Sequence, residues 1–199
     1  TKHKTYTIKA KAIVNAAGPW VDKVIAQLGL TSQHHIRMVK GSHLITRKLY
    51  DGDKAYILQH TDGRIVFVIP HQGNHTLIGT TDVPFEGDPS DVQISPAETQ
   101  YLLDAANRYF KQPVTEQDIE STFAGVRPLQ SDEHESASKV TRDYTFEVDD
   151  ENGTAPILSV FGGKITTYRK LAEHALEQLK PYCPGMKSAW TAGAMLPKP

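Results

Sequence analysis

The sequence lacks the features that mark several large classes of protein. Its 199 residues include a single cysteine, Cys183, which excludes an internal disulfide framework and fits a reducing, cytosolic setting. No apolar run approaches the roughly 20 residues that a membrane-spanning helix needs. The net charge of −1 gives no global attraction to nucleic acid or to an anionic membrane. With 39% hydrophobic and 23% charged residues, the composition is typical of a soluble globular protein.

Recognisable ligand motifs are also scarce. The nine histidines follow neither the HExxH spacing nor the Cys/His spacings of metal sites, so we expect no metal ion. Basic residues do not interleave with aromatic ones, and we expect no nucleic-acid partner. The chain also contains no G-x-G-x-x-G sequence, the phosphate-binding fingerprint of dinucleotide-binding domains.

A strand–glycine–helix stretch near the C-terminal end is the most informative feature. The apolar run 156–161 predicts a buried strand, Gly162 and Gly163 interrupt it, and a helical pattern follows. Glycines let the backbone approach a ligand closely, and the first N–H groups of a helix attract anions. Lys164 and Thr166 add a cation and a hydroxyl. The alternative is an ordinary strand-to-helix turn in which the glycines serve only packing.

A second unit of the same kind opens the chain. Residues 5–14 predict a strand that becomes buried toward its end, and the small residues 15–18 follow it. Pro19 then suits the first position of a helix. This unit could likewise be a plain strand-to-helix turn or a place where backbone approaches a ligand.

Between these units the pattern changes to closely spaced strands. Four β-rich runs lie between residues 36 and 82, and Asp62-Gly63 separates two of them as a hairpin turn would. Ser95 and Glu98 predict a capping box at the start of a helix that runs to about Lys111. We therefore predict an α+β fold: a substrate-binding domain with an antiparallel or mixed sheet and helices, together with parts of a βα domain.

Two side chains in the predicted sheet could carry chemistry. His43 is either a hydrogen-bonded structural residue or a group that transfers protons near neutral pH. Arg127, after Gly125 and before Pro128, either pairs with a nearby acid or offers its planar fork to a phosphate or carboxylate.

Six segments in order resemble those of the FAD-dependent glycerol-3-phosphate dehydrogenases, most of all the bacterial aerobic type. They are residues 14–20, 40–43, 78–82, 125–129, 140–144 and 161–173. That family begins with a strand–GxGxxG–helix unit, which this chain does not contain. The resemblance therefore implies an internal piece of a longer enzyme, with residues 1–33 ending the FAD-binding domain, 34–150 binding substrate, 151–180 returning to the FAD domain and 181–199 forming a linker or tail.

The resemblance also implies roles for particular residues. It makes His43 and Arg127 catalytic, and it assigns substrate binding to Arg127, Arg142 and Lys164. The residues expected to contact FAD are Ala17, Gly18, Trp20, Gly162, Gly163, Lys164 and Thr166. The implied reaction is oxidation of sn-glycerol 3-phosphate to dihydroxyacetone phosphate by hydride transfer to FAD.

Further expectations concern partners and alternatives. The resemblance implies a small phosphate substrate, quinone as electron acceptor and a cytoplasmic protein that contacts the inner membrane peripherally. Open sheet edges would favour a homodimer. One alternative is an amine oxidase of the sarcosine or glycine oxidase type. The other is a non-catalytic, cofactor-free sheet domain, and we expect the chain to be inactive when isolated from the rest of the enzyme.

Overall fold

The computed structural model describes residues 5–130, 143–150 and 155–195. In chain order the elements are β1 (Ile13–Asn15), α1 (Val21–Gln27), β2 (Ile36–Arg47), β3 (Tyr56–Gln59), β4 (Ile65–His71), β5 (His75–Gly79), β6 (Val83–Pro84), α2 (Pro96–Asn107), β7 (Ile119–Gln130), β8 (Tyr144–Asp149), β9 (Ile157–Gly162) and α3 (Tyr168–Leu179). They form two compact units. The described part of the first unit is residues 5–36, 128–130, 143–150 and 155–195, and the second is Arg37–Arg127.

The first unit contains a mixed sheet with the strand order β1-β9-β8. Strand β9 lies parallel to β1 and antiparallel to β8. Helix α3 buries Ala175 and Leu179 against Leu158 and Val160 of β9. On the opposite face of the sheet, Val21 and Ile25 of α1 cluster with Phe161 of β9. This sheet confirms the two predicted strand–helix units.

The first predicted strand was too long. The pattern indicated a strand over residues 5–14, but β1 comprises only Ile13–Asn15. Among the described residues β1 pairs only with β9, and Tyr6 and Ile8 are 76% and 85% exposed. Alternating polar and apolar residues do not form a strand where no described partner strand is available for backbone hydrogen bonds.

The second unit contains a six-stranded sheet with the order β3-β4-β5-β2-β6, and β7 also pairs with β2. Strands β3 and β4 form the antiparallel hairpin predicted from Asp62-Gly63. Strands β4 and β5, and β5 and β2, are also antiparallel. The predicted α+β class is confirmed. Both sheets are open.

Helix α2 covers one face of this second sheet. Its Leu102 and Ala106 share a buried cluster with Leu44, Val66 and Ile78 from the strands. Because side chains alternate along a strand, the residues beside these point to the opposite face. The face of the sheet opposite α2 therefore carries His43, the neighbour of Leu44.

The predicted capping box at Ser95 and Glu98 is confirmed. The helix ends at Asn107, however, rather than near Lys111. The Asn107 side chain accepts a hydrogen bond from the Val114 amide at 2.7 Å and donates one to its carbonyl at 2.9 Å. These bonds tie the helix end to the loop that follows.

Strand β8 lies outside the unit in which the sequence placed it. The predicted substrate-binding region, residues 34–150, included β8, but β8 pairs with β9 in the first unit. Val148 and Phe146 of β8 pack against the α3 cluster, which explains the difference. The functional roles assigned to the predicted domains remain predictions.

Candidate functional site

His43 lies on the face of the second sheet opposite α2, between Gly79 and the ring of Phe123. The His43 ring stacks on Phe123 of β7, with ring centroids 4.5 Å apart and an interplanar angle of 8°. In the β2–β5 ladder His43 is directly opposite Gly79. A Cβ atom on Gly79 would lie 2.1 Å from His43 Cδ2. The absence of that side chain is what lets the imidazole lie flat over β5.

The surroundings of His43 favour its neutral form. Burial lowers the pKa of His43 below its usual value of 6.5, and the positive charge of Arg127 lowers it further. The Nδ1 atom is buried and has no hydrogen-bond partner in the described part of the chain. A neutral imidazole is able to accept a proton near pH 7.

Arg127 reaches back from β7 to the segment that follows β5. Its Nη1 donates to Asp82 Oδ1 at 2.9 Å and to the Thr81 carbonyl at 3.4 Å, and its Nη2 donates to Thr80 Oγ1 at 2.9 Å. The Arg127 side chain remains 27% exposed. The acidic partner that the sequence left as an alternative is therefore Asp82.

Gly41 makes room for this arginine. A Cβ atom on Gly41 would lie 2.4 Å from Arg127 Nη2 and 2.6 Å from Thr80 Oγ1. Gly41 and Gly79, on adjacent strands, thus create the space for Arg127 and His43 respectively. Both glycines lie in segments that the sequence analysis singled out, Lys-Gly-Ser-His and Ile-Gly-Thr-Thr-Asp. The contact of Gly41 with Arg127 and that of Gly79 with His43 are visible only in the structure.

The predicted cofactor residues lie in the first unit, where the parallel strands β1 and β9 end at the same edge of the sheet. The register of β1 and β9 places Asn15 beside Ser159, and Asn15 Nδ2 donates to Ser159 Oγ at 3.3 Å. The loops that leave these strands begin with residues 16–20 and 163–167. The carboxyl edge of parallel strands is where open α/β sheets bind ligands.

Gly162 and Gly163 have backbone conformations that favour glycine. Their φ angles are +76° and +98°. A Cβ atom on Gly162 would lie 2.5 Å from the Asp143 carbonyl oxygen, and one on Gly163 would lie 3.0 Å from Leu171 Cδ1. The Gly163 amide donates to the same Asp143 oxygen at 3.1 Å. The turn is therefore held close to β8 by backbone contacts.

The other predicted cofactor residues flank this edge. Lys164 and Thr166 are exposed, and the turn that leads into α3 has no side-chain cap. Gly18 has a φ of +55°, the Ala17 carbonyl accepts from the Trp20 amide at 3.1 Å, and Trp20 is 38% exposed. The structure thus groups the seven predicted cofactor residues at one strand edge.

Arg142, the remaining predicted substrate contact, lies outside the described residues. In the part of the chain that the structure describes, no three His, Cys, Asp or Glu side chains are placed to hold a metal ion together. No described helix has the length and apolar character to cross a bilayer.

Comparison with known proteins identifies the family. The sequence model of a family described as FAD dependent oxidoreductase (DAO) matches residues 1–169. The chain belongs to this family. Among relatives of this oxidoreductase chain, the glycerol-3-phosphate dehydrogenase of Pseudomonas aeruginosa is 54% identical over 193 residues, covering 96% of this chain and 38% of that protein. The D-erythritol 1-phosphate dehydrogenase of Brucella abortus is 48% identical over 195 residues, covering 98% of this chain and 39% of that protein.

The fold is also that of a solved FAD-dependent oxidoreductase. The X-ray structure of the glycerol-3-phosphate dehydrogenase from Bacillus halodurans complexed with FAD matches with a TM-score of 0.78 and 31% identity, covering 94% of this chain and 35% of that one. The predicted family resemblance is confirmed. The chain spans less than two fifths of the length of these relatives.

Proposed function

We propose that the whole protein of which this chain is a segment oxidises the secondary hydroxyl of a polyol phosphate, with sn-glycerol 3-phosphate as the first candidate and dihydroxyacetone phosphate as its product. The observation that carries the proposal is that His43, whose pKa is lowered by burial and by the Arg127 charge, and Arg127 lie on the same face of the second sheet. A base for a hydroxyl proton and a cation for an anionic substrate are the two protein groups that this reaction needs.

The residues at the carboxyl edge of β1 and β9 fit a flavin nucleotide. Gly162 and Gly163 hold the turn after β9 against Asp143 and Leu171, and the exposed Lys164 adds a positive charge beside it. The Asn15 Oδ1 atom is buried without a partner in the described part of the chain. We propose that Ala17, Gly18, Trp20, Gly162, Gly163, Lys164 and Thr166 hold FAD. When bound, FAD supplies the acceptor for the hydride that leaves the carbinol carbon.

His43 would take the hydroxyl proton. We place that proton on Nε2 because Nδ1 is enclosed by protein. The hydroxyl proton would end on the imidazole and the carbinol carbon would become a ketone. Stacking on Phe123 and the flat contact with Gly79 fix the plane of the ring. A fixed ring loses less entropy when the substrate is positioned.

Arg127 would contact the substrate rather than act as the base. A guanidinium keeps its proton at working pH, and its bonds to Thr80 and Asp82 orient it. We propose that Arg127 faces the reacting part of the substrate and that Lys164 and Arg142 help to bind its phosphate. Each charge-assisted hydrogen bond is worth about 1.5–3 kcal/mol.

Both polyol phosphates remain candidates because relatives named for each are about equally similar to the chain. The test compares initial rates of the whole, flavin-loaded protein on glycerol 3-phosphate, erythritol 1-phosphate, unphosphorylated glycerol and sarcosine, with a dye as electron acceptor. We expect activity on a polyol phosphate, none on glycerol and none on sarcosine. Activity on sarcosine would instead support the amine oxidase alternative.

From the resemblance we propose quinone as the acceptor and a cytoplasmic location with peripheral membrane contact. From the open sheet edges we propose a homodimer. Reduction of a soluble quinone, sedimentation with anionic vesicles and light scattering test these three proposals separately. The isolated 199-residue chain is expected to be inactive, which a flavin titration of that chain followed by addition of glycerol 3-phosphate tests.

A further inference from the structure

A buried carboxylate connects three elements of the second unit behind the face that carries His43. Glu98, in the first turn of α2, is only 4% exposed. Its carboxylate accepts hydrogen bonds from Ser42 Oγ at 2.8 Å, Thr81 Oγ1 at 2.8 Å, Ser95 N at 2.9 Å and Ser95 Oγ at 2.8 Å, and it pairs with Lys40 Nζ at 2.7 Å. One side chain thus joins α2, β2 and the segment after β5.

The two oxygens of Glu98 have different partners. Oε2 binds Ser95 and Lys40, and its bonds to Ser95 form the helix cap. Among the described residues, Oε1 accepts hydrogen bonds from Ser42 and Thr81, which play no part in capping. Of the hydrogen bonds that the Glu98 carboxylate accepts, a capping box requires only the one from the Ser95 amide. The contacts of Oε1 therefore need another explanation.

The partners of Oε1 adjoin the two candidate catalytic residues. Ser42 precedes His43 on β2. Thr81 lies between Thr80 and Asp82, and this three-residue segment supplies all the acceptors described above for Arg127. Ser42 and Thr81 also bind each other, since the Ser42 amide donates to Thr81 Oγ1 at 2.9 Å and the Thr81 amide donates to the Ser42 carbonyl at 3.4 Å.

The arrangement is a chain of bonds from one face of the sheet to the other. Glu98 fixes Thr81 from the helix-covered side, and Arg127 binds the same segment with its guanidinium. Ser42 and Thr81 are 0% and 2% exposed, so their hydroxyls depend on protein partners in the folded chain. Loss of a buried acceptor leaves its donors unsatisfied and loosens the backbone around them.

We propose that Glu98 is a positioning residue for the His43 and Arg127 site, acting through Oε1 on Ser42 and Thr81. The reaction that it serves rests on the function proposed above. The effect of Glu98 on the placement of Ser42 and Thr81 does not depend on that function, because it follows from hydrogen bonds within the fold.

Three variants separate this role from helix capping. Glu98→Ala removes both sets of bonds. Thr81→Val keeps the shape of the side chain and removes only its hydroxyl, so it tests the same link if Glu98→Ala fails to fold. Ser95→Ala is the matched control, because it weakens the cap at Oε2 and leaves Ser42 and Thr81 bonded to Oε1.

The first readout is amide exchange in the 199-residue chain, followed by NMR. We expect the protection of the Thr81 amide to fall at least tenfold in Glu98→Ala relative to Ser95→Ala. The second readout is kcat/KM for glycerol 3-phosphate in the whole protein, normalised to bound flavin. We expect Glu98→Ala and Thr81→Val to lose at least tenfold, with part of the loss in KM because Arg127 is displaced, and Ser95→Ala to stay within twofold.

The results distinguish the two claims. Equal exchange and equal kcat/KM in all three variants would overturn the positioning role, as would a loss in Ser95→Ala as large as in the others. A wild-type protein that is inactive on polyol phosphates would overturn the proposed function. In that case the exchange comparison still decides whether Glu98 holds Thr81.

Discussion

Gly79 lies opposite His43 in the β2–β5 ladder, and the imidazole occupies the space that a side chain at position 79 would fill. A methyl group there would be 2.1 Å from Cδ2, which no ring in this position can tolerate. The ring would have to leave its stack on Phe123. The glycine therefore sets the orientation of the proposed base.

Gly79→Ala is expected to reduce kcat/KM at least tenfold, because overpacking moves the imidazole from its observed plane. The cost in folding stability should be about 1–3 kcal/mol. Gly125→Ala is the matched control, since a Cβ atom at Gly125 meets nothing within 4 Å. Steady-state kinetics and urea unfolding of both variants check this, and equal behaviour of the two would contradict it.

Removing the charge of Arg127 should raise the pKa of His43. Burial and the Arg127 charge both hold that pKa below 6.5, so Arg127→Gln leaves burial alone. The same change should move the acidic limb of the kcat/KM profile to higher pH, because the neutral imidazole is the active form. NMR titration of the His43 ring measures the shift. Arg108→Gln, an exposed charge on the chain, should leave the titration unchanged.

The carboxyl edge of the first unit should depend on Gly162. Alanine there combines a φ of +76° with a Cβ atom 2.5 Å from the Asp143 oxygen, and a strained backbone costs about 1–3 kcal/mol. We expect Gly162→Ala to weaken FAD binding by the whole protein at least tenfold. Gly185→Ala should bind normally because the space beside Gly185 is open. Flavin fluorescence titrations compare the two variants, and equal affinities would argue against a cofactor at this edge.

Glu98 should make the folding stability depend on pH in the acid range. Burial would raise the pKa of Glu98, but hydrogen bonds from Lys40, Ser95 and Thr81 outweigh it and lower the pKa from 4.5 to about 2. A lowered carboxyl pKa stabilises the fold fully above pH 4.5, and the effect is lost as the pH falls toward 2. Its full size is about 3 kcal/mol.

The acid effect is measured by urea unfolding of the wild-type chain and of Glu98→Gln between pH 2 and pH 7. Glutamine does not titrate, so the difference in unfolding free energy should shrink as the pH falls from about 4.5 toward 2. Other carboxylates, including Asp118, contribute equally to both proteins. A difference that does not change with pH would show that Glu98 is not held ionised by its partners.

The sequence predicted the local structure well where residue chemistry decides it. The Asp62-Gly63 turn and the Ser95–Glu98 cap depend on neighbouring residues, and both are confirmed. The extent of β1 and the location of β8 depend on partner strands that lie far away in sequence. The alternation of polar and apolar residues and the turn residues are local features, and they do not specify which distant strands pair.

For the candidate site, the sequence indicates the residues that could react or bind, but not the neighbouring residues that hold them in place. His43 and Arg127 were identified through a resemblance, and the structure places both in the second unit. The roles of Gly41, Gly79 and Oε1 of Glu98 arise from contacts across the sheet. Glu98 was recognised only as a helix cap, because its second oxygen meets residues 56 and 17 positions away.

The most direct test of the account is anaerobic mixing of the whole, flavin-loaded protein with glycerol 3-phosphate while the flavin absorbance is recorded. We expect the oxidised flavin to bleach completely, with dihydroxyacetone phosphate formed in equal amount, and to bleach much more slowly in Arg127→Gln. A wild-type flavin that stays oxidised with both glycerol 3-phosphate and erythritol 1-phosphate would contradict the proposed polyol phosphate dehydrogenase.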